Sequence, residues 1–166
     1  MAEKIELGDE IKCKLTGLQG IAICRKKLLF GMDQIGVQPP VKDGNSPDIT
    51  LMDEYHFEIL TKQKVPVNPE TDEDQIEIQI GDKAKDPITG AEGTIISMIY
   101  WISGCTLTDM DIGFDKNGKM QDQLRFSAPR LKFVGKRKKE EEHCKRKAGG
   151  PSVRIPQNCI ATKRKV

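Results

Sequence analysis

With 166 residues, 37% of them hydrophobic and 31% charged, and a net charge of +2, the chain has the composition of a globular protein and not of a disordered or fibrous one. It has no apolar run near the twenty or so residues that cross a bilayer, and no apolar stretch follows Met1-Ala2-Glu3-Lys4 as it would in a signal peptide. A membrane role and general secretory export are therefore not expected, and the chain reads as made in the cytoplasm.

The charge is unevenly spread. Residues 136–166 carry 11 Lys/Arg and 3 Asp/Glu, a net of +8, which leaves 16 basic and 22 acidic residues, a net of −6, on residues 1–135. A basic tail on an acidic body predicts that the tail meets something negative: nucleic acid, an acidic protein surface or the body of a neighbouring copy.

The chain opens with Ile5-Glu6-Leu7-Gly8-Asp9, followed by Ile11 to Leu15, whose alternation of apolar and polar residues has the period of a half-buried strand. Thr16-Gly17-x-x-Gly20 supplies a turn, and an apolar run from Gly20 to Cys24 predicts a second strand. Gly31 marks the next turn, Gln34 to Gln38 a third strand, and Asp43-Gly44-Asn45 another turn. Two short strands then close at Leu60.

Residues 63–76 read as a linker. Pro66 and Pro69 favour extended backbone, and Glu70, Asp72, Glu73 and Asp74 repel one another.

The same message then returns. Ile78-Gln79-Ile80-Gly81-Asp82, Thr89-Gly90-x-x-Gly93 and Gly104 stand 73 positions after their counterparts, while Gly118 and the closing Phe133-Val134 stand 74 after theirs. The long run from Gly93 to Ile102 is rich in β-branched and aromatic residues, without clean alternation. Trp101 within it reads as core. Thr106 to Phe114 is the next strand.

Five short strands per copy, separated by turn signals and with no helical pattern, predict an all-β fold of two small barrels or sandwiches. The expected organisation is a first repeat over 1–62, the linker over 63–76, a second repeat over 77–135 and a basic arm over 136–166. Gly8, Gly17, Gly20, Gly31, Gly81, Gly90, Gly93 and Gly104 are the expected structural turns.

In the arm, Glu141 and Lys145, and Glu142 and Arg146, have helix-pair spacing. Beyond Pro151, the residues Val153, Arg154, Ile155, Ile160, Lys163, Arg164 and Lys165 combine scattered apolar anchors with basic ends, the pattern of a segment that orders on a partner. The cysteines, Cys13, Cys24, Cys105, Cys144 and Cys159, are odd in number and contain no CxxC pair. Cys144 and Cys159 read either as free thiols or as crosslinks to neighbours after assembly.

Enzyme function fits poorly. There is no nucleophile elbow, phosphate loop or zinc spacing, so no catalytic residue, metal or cofactor is expected. His56 and His143 lack partners visible in sequence, and turn hydrogen bonding accounts for Asp9 and Asp82.

Gly-Asp-x-hydrophobic followed by Gly-x-x-Gly before a β-branched strand, over 8–23 and 81–96, resembles the KOW motif of small Src-homology-3-like barrels. A longer pattern in the second copy, Gly81, Asp82, Lys85, Asp86, Thr89, Gly90, Gly93, Gly104 and Cys105, resembles a short repeat of tailed-bacteriophage structural proteins. The first copy departs from it with Cys13 in place of the aspartate and Met32 in place of the cysteine, though its Val37-Gln38-Pro39 and Asp43-Gly44 fit the later half better.

The resemblance implies two tandem Src-homology-3-like (KOW-like) barrels in a virion structural protein made in the host bacterial cytoplasm: capsid decoration (cement), neck or tail. Its implied partners are other virion proteins and further copies of itself. The alternative is a KOW-type module binding nucleic acid or ribonucleoprotein. The acidic body and sparse aromatics argue against a phosphate-binding barrel face and leave the basic arm as the nucleic-acid contact.

Overall fold

In the computed structural model, residues 4–68 and 75–135 are described, and they belong to one compact unit. It is all-β. Ten strands form one antiparallel sheet: β1 (Glu10–Cys13), β2 (Gln19–Leu28), β3 (Gln34–Gln38), β4 (Thr50–Asp53), β5 (Phe57–Thr61), β6 (Lys83–Lys85), β7 (Glu92–Trp101), β8 (Thr106–Asp111), β9 (Leu124–Ser127) and β10 (Lys132–Phe133).

In the first half β1 pairs with β2 and β5, β2 with β3, and β3 with β4. In the second, β6 pairs with β7 and β10, β7 with β8, and β8 with β9. The two schemes are the same. Each places a single 3-10 turn, Glu54–His56 or Ala128–Arg130, between its fourth and fifth strands.

Each half closes over its own hydrophobic cluster. Ile5, Ile11, Cys13, Ala22, Ile35, Val37 and Phe57 form the first; Ile78, Ala84, Ile95, Met98, Met110, Ala128 and Leu131 form the second. The poor alternation of the two long strands has a local cause. The register slips between Ala22 and Cys24 against β3, and between Ile95 and Ser97 against β8, a bulge at matching positions. An extra residue in one strand reverses which side chains point inward beyond it. Thus Ile95, Met98 and Tyr100 pack on the second cluster while Ser97 and Ile99 lie on the other face. Trp101, expected in the core, is half-buried at the end of β7 and belongs to neither cluster; Tyr100 packs there instead.

The halves meet along β2 and β7, which pair antiparallel from Cys24↔Trp101 to Leu28↔Ser97. The central pair, Lys26↔Ile99, joins positions 73 apart, the spacing of the sequence motifs. The flanking hydrogen bonds obey the same relation: Leu29 N–H donates to Ile96 O and Ile102 N–H to Ile23 O, each at 2.8 Å. The seam is thus two-fold in its sequence positions, like an isologous dimer contact drawn within one chain.

The compact unit spans both segments expected as barrels. The described part of the expected linker is tied down. Gln63 N–H donates to Asp9 Oδ1 at 2.9 Å, Val65 N–H to Gly8 O at 3.1 Å and Asn68 N–H to Ile102 O at 3.1 Å, so the segment is held first to one half and then to the other, once through a side chain and twice through backbone carbonyls. Of the eight expected turn glycines, Gly20 and Gly93 have ordinary φ. They are required for close approach, because a Cβ there would collide with the carbonyl oxygen of Gln38 or Asp111. The other six have φ between +72° and +114°, where other residues are strained.

Candidate interaction site

The β1–β2 turn of the first half and the β6–β7 turn of the second each carry an apolar side chain at their tip. Leu15 is 72% exposed and Ile88 is 76% exposed, and they stand 73 positions apart. Both sit ahead of a Thr-Gly pair whose glycine is left-handed, Gly17 at +72° and Gly90 at +75°. In the second turn Asp86 holds the geometry: its carboxylate accepts from Thr89 N–H at 3.0 Å and Ile88 N–H at 3.4 Å, and from the Thr89 hydroxyl. Arg130 closes the set from the 3-10 turn, with Nε 2.7 Å from Asp86 Oδ1. The Arg130 guanidinium is the main reason the Asp86 carboxyl is held far below the usual carboxylate range.

Cys13 stands in the place of Asp86. Its sulfur accepts from Thr16 N–H at 3.5 Å, and this contact with Thr16 lowers the thiol below its ordinary value. Other large apolar side chains are exposed at further loops: Phe30 and Met32 between β2 and β3, Val41 between β3 and β4, and Phe114 and Met120 between β8 and β9. Singly exposed apolar residues are common on soluble proteins. Leu15 and Ile88 repeat at the 73-residue spacing on matching turns, as Val41 and Phe114 do on the later loops.

On one face of the β2–β7 seam lies a buried polar cluster. Asp109 of β8, 4% exposed, accepts from Ser97 Oγ of β7 at 2.7 Å and Arg125 Nε of β9 at 2.7 Å, and pairs with Lys26 Nζ of β2 at 3.0 Å. Burial alone would push its carboxyl up. The three donors outweigh it and bring it down to about 2. Because Lys26 comes from the first half and the rest from the second, the cluster ties the two together.

On the opposite face is an open trough of about 700 Å³. It is lined by Lys4–Leu7 of the first half and Ile76, Ile78, Gln79 and Ile80 of the second, with Arg25 and Lys27 of β2 and Met98 and Tyr100 of β7. Many of these are again 73 apart: Ile5 and Ile78, Leu7 and Ile80, Arg25 and Met98, Lys27 and Tyr100. Arg25 is fully engaged, with Glu54 at 2.8 Å, Asp33 at 3.2 Å and Ile5 O at 2.5 Å; the bidentate bond to Glu54 is the main cause of its raised pKa.

Asp9 and Asp82 take the turn role expected of them, accepting from Glu6 N–H at 2.9 Å and Gln79 N–H at 2.8 Å. Burial works against the Asp9 charge, but the N–H groups of Gln63 and Glu6 and the Lys62 ammonium outweigh it and hold the carboxyl below its ordinary value. His56 lies in the first 3-10 turn with its ring 3.9 Å from that of Tyr55. Val153, Arg154, Ile155, Ile160, Lys163, Arg164, Lys165, Cys144 and Cys159 all lie outside the described residues.

Sequence reasoning missed Leu15, Ile88 and the Lys26–Asp109–Arg125 cluster. The first two were legible by aligning the two copies, and the third left a trace in the charged triplet Arg25-Lys26-Lys27 inside a strand. Neither a protein-family model, a curated protein nor a solved structure matches this chain. Among the described residues no helix is long and apolar enough to cross a membrane.

Proposed function

We propose that the chain is a non-enzymatic bacteriophage virion structural protein, a capsid decoration (cement) or head–tail (neck or tail) component that stabilises the assembly by bridging subunits. In this reading each half is a Src-homology-3-like, KOW-like barrel, and the chain is a covalent pair of them joined at β2 and β7. The observation that carries it is the matched pair of exposed apolar tips, Leu15 and Ile88. One adhesive tip per half makes a bivalent particle. Bivalence converts two weak contacts into firm attachment without any new contact. The arm over 136–166 reaches a neighbouring subunit, with Val153, Ile155 and Ile160 as apolar anchors and Arg154, Lys163, Arg164 and Lys165 as charged ones, and Cys144 and Cys159 crosslink copies once assembled.

The test is occupancy on purified virions of the phage that encodes the chain. Wild-type chain should band with particles. The double variant Leu15→Ser/Ile88→Ser should remain folded and lose particle association, each single variant keeping part of it. A double variant that bands like wild type overturns the reading. Deleting 136–166 should likewise leave a folded body that no longer occupies particles, and non-reducing gels of assembled material should show a ladder that reductant removes.

One observation favours a second reading, binding of nucleic acid: the 11 basic residues of the arm. Its signature is affinity that falls steeply with salt, whereas attachment through apolar burial persists.

A further inference from the structure

Exposed lysines line the trough at the seam, although the body around it is acidic. Residues 1–135 carry a net of −6, yet the trough is lined by Lys4, Arg25 and Lys27 against a single carboxylate, Glu6. Arg25 spends its charge on Glu54 and Asp33, which leaves Lys4 and Lys27 at the exposed edges. The Lys27 ammonium is held 5.1 Å from the centre of the Tyr100 ring. Between these cations the surface is aliphatic and aromatic, formed by Leu7, Ile76, Ile80 and Tyr100, with Met98, 4% exposed, at its base.

We infer that this trough is a docking site for an extended, acidic segment of a partner protein in which apolar side chains alternate with carboxylates. Successive side chains of an extended chain point to opposite sides. One row would enter between Leu7, Ile80 and Met98 while the other meets Lys4 and Lys27. The volume, about 700 Å³, falls in the range of binding clefts, which occur preferentially where two structural units meet. Because the trough is open to solvent, it suits a chain laid across it better than a small molecule that must be enclosed. The aliphatic lining argues against nucleic acid, which calls for a basic stripe and stacking platforms.

The site is read on the free full-length chain and does not rest on the virion reading, so failure here leaves the turn-tip contacts standing. Methyl-resolved NMR is recorded while two blocked peptides are titrated, acetyl-Glu-Leu-Glu-Leu-Glu-amide and acetyl-Lys-Leu-Lys-Leu-Lys-amide. The Glu-Leu peptide should shift the Met98 and Ile80 methyl signals saturably, at least tenfold more tightly than the Lys-Leu peptide. Lys27→Glu, at an exposed position, should preserve the spectrum elsewhere and invert the preference. Three results overturn the inference: equal affinity for the two peptides, shifts confined to residues 136–166, or displacement of the Glu-Leu peptide from Met98 by an oligothymidylate.

Discussion

Where the sheet crosses from β2 to β4 in the first half, Cys24, Gly36 and Leu51 stand side by side; at the matching row of the second half stand Ser97, Asp109 and Arg125. The first row is held by contact. A Cβ on Gly36 would collide with the Cys24 sulfur and lie 3.3 Å from Ile49 and 3.4 Å from Leu51, so the glycine is what lets the sulfur and the two side chains fit. The second row is held by charge, and its carboxylate recruits Lys26 from across the seam. The same exchange recurs at the turns, where Cys13 replaces Asp86 and His56 stands in the place of Arg130. One strand scheme thus tolerates opposite chemistry at matching positions, provided each row is internally complete.

The largest expected difference between the halves is at the turns. Asp86→Ala leaves Arg130 and the Thr89 N–H without their acceptor and should cost about 2 kcal/mol, whereas Cys13→Ala should cost about 1 kcal/mol, both read by urea unfolding. Equal losses would mean that Asp86 holds nothing that Cys13 does not. Where the halves agree, they should fail together. Gly20→Ala and Gly93→Ala each drive a methyl group into a backbone carbonyl that cannot move aside, and each should cost about 2 kcal/mol.

The charged row should also show in acid. Asp109 has its carboxyl lowered from 3.8 to about 2 in the folded protein. The unfolded chain therefore binds the proton first as pH falls, so the stabilisation is complete above about pH 4 and lost towards pH 2. Asp109→Asn should remove on the order of 2 kcal/mol at neutral pH and flatten the decline between pH 4 and 2. Cys24→Ala in the apolar row should leave that decline unchanged. Smallest of all, Leu15→Ser and Ile88→Ser should each shift stability by less than about 0.5 kcal/mol, which separates a contact made outside the molecule from one made within it.

The all-strand character and the five strands of each half were legible because turns and short strands are written locally. The motif glycines fix where the chain reverses, and the 73-residue spacing survives any rearrangement between them. The third strand, Gln34–Gln38, could be read to the residue for the same reason, bounded by turn signals on both sides. The faces of β2 and β7 were not legible. A bulge after Ala22 and Ile95 breaks the two-residue period, and a bulge is visible only in the pairing with the neighbouring strand. For that reason Tyr100, and not Trp101, packs on the core.

By itself, then, the sequence determined that this protein is built from strands, that its message is written twice, and that its charge is divided between an acidic body and a basic tail. Tertiary structure alone decided that β2 meets β7 about the Lys26↔Ile99 pair, that Lys26 reaches Asp109, and that a cation-edged trough opens on the opposite face. Composition and spacing act within a few residues, whereas a seam between two halves depends on which strand edges are left to pair once each half has closed on its own core.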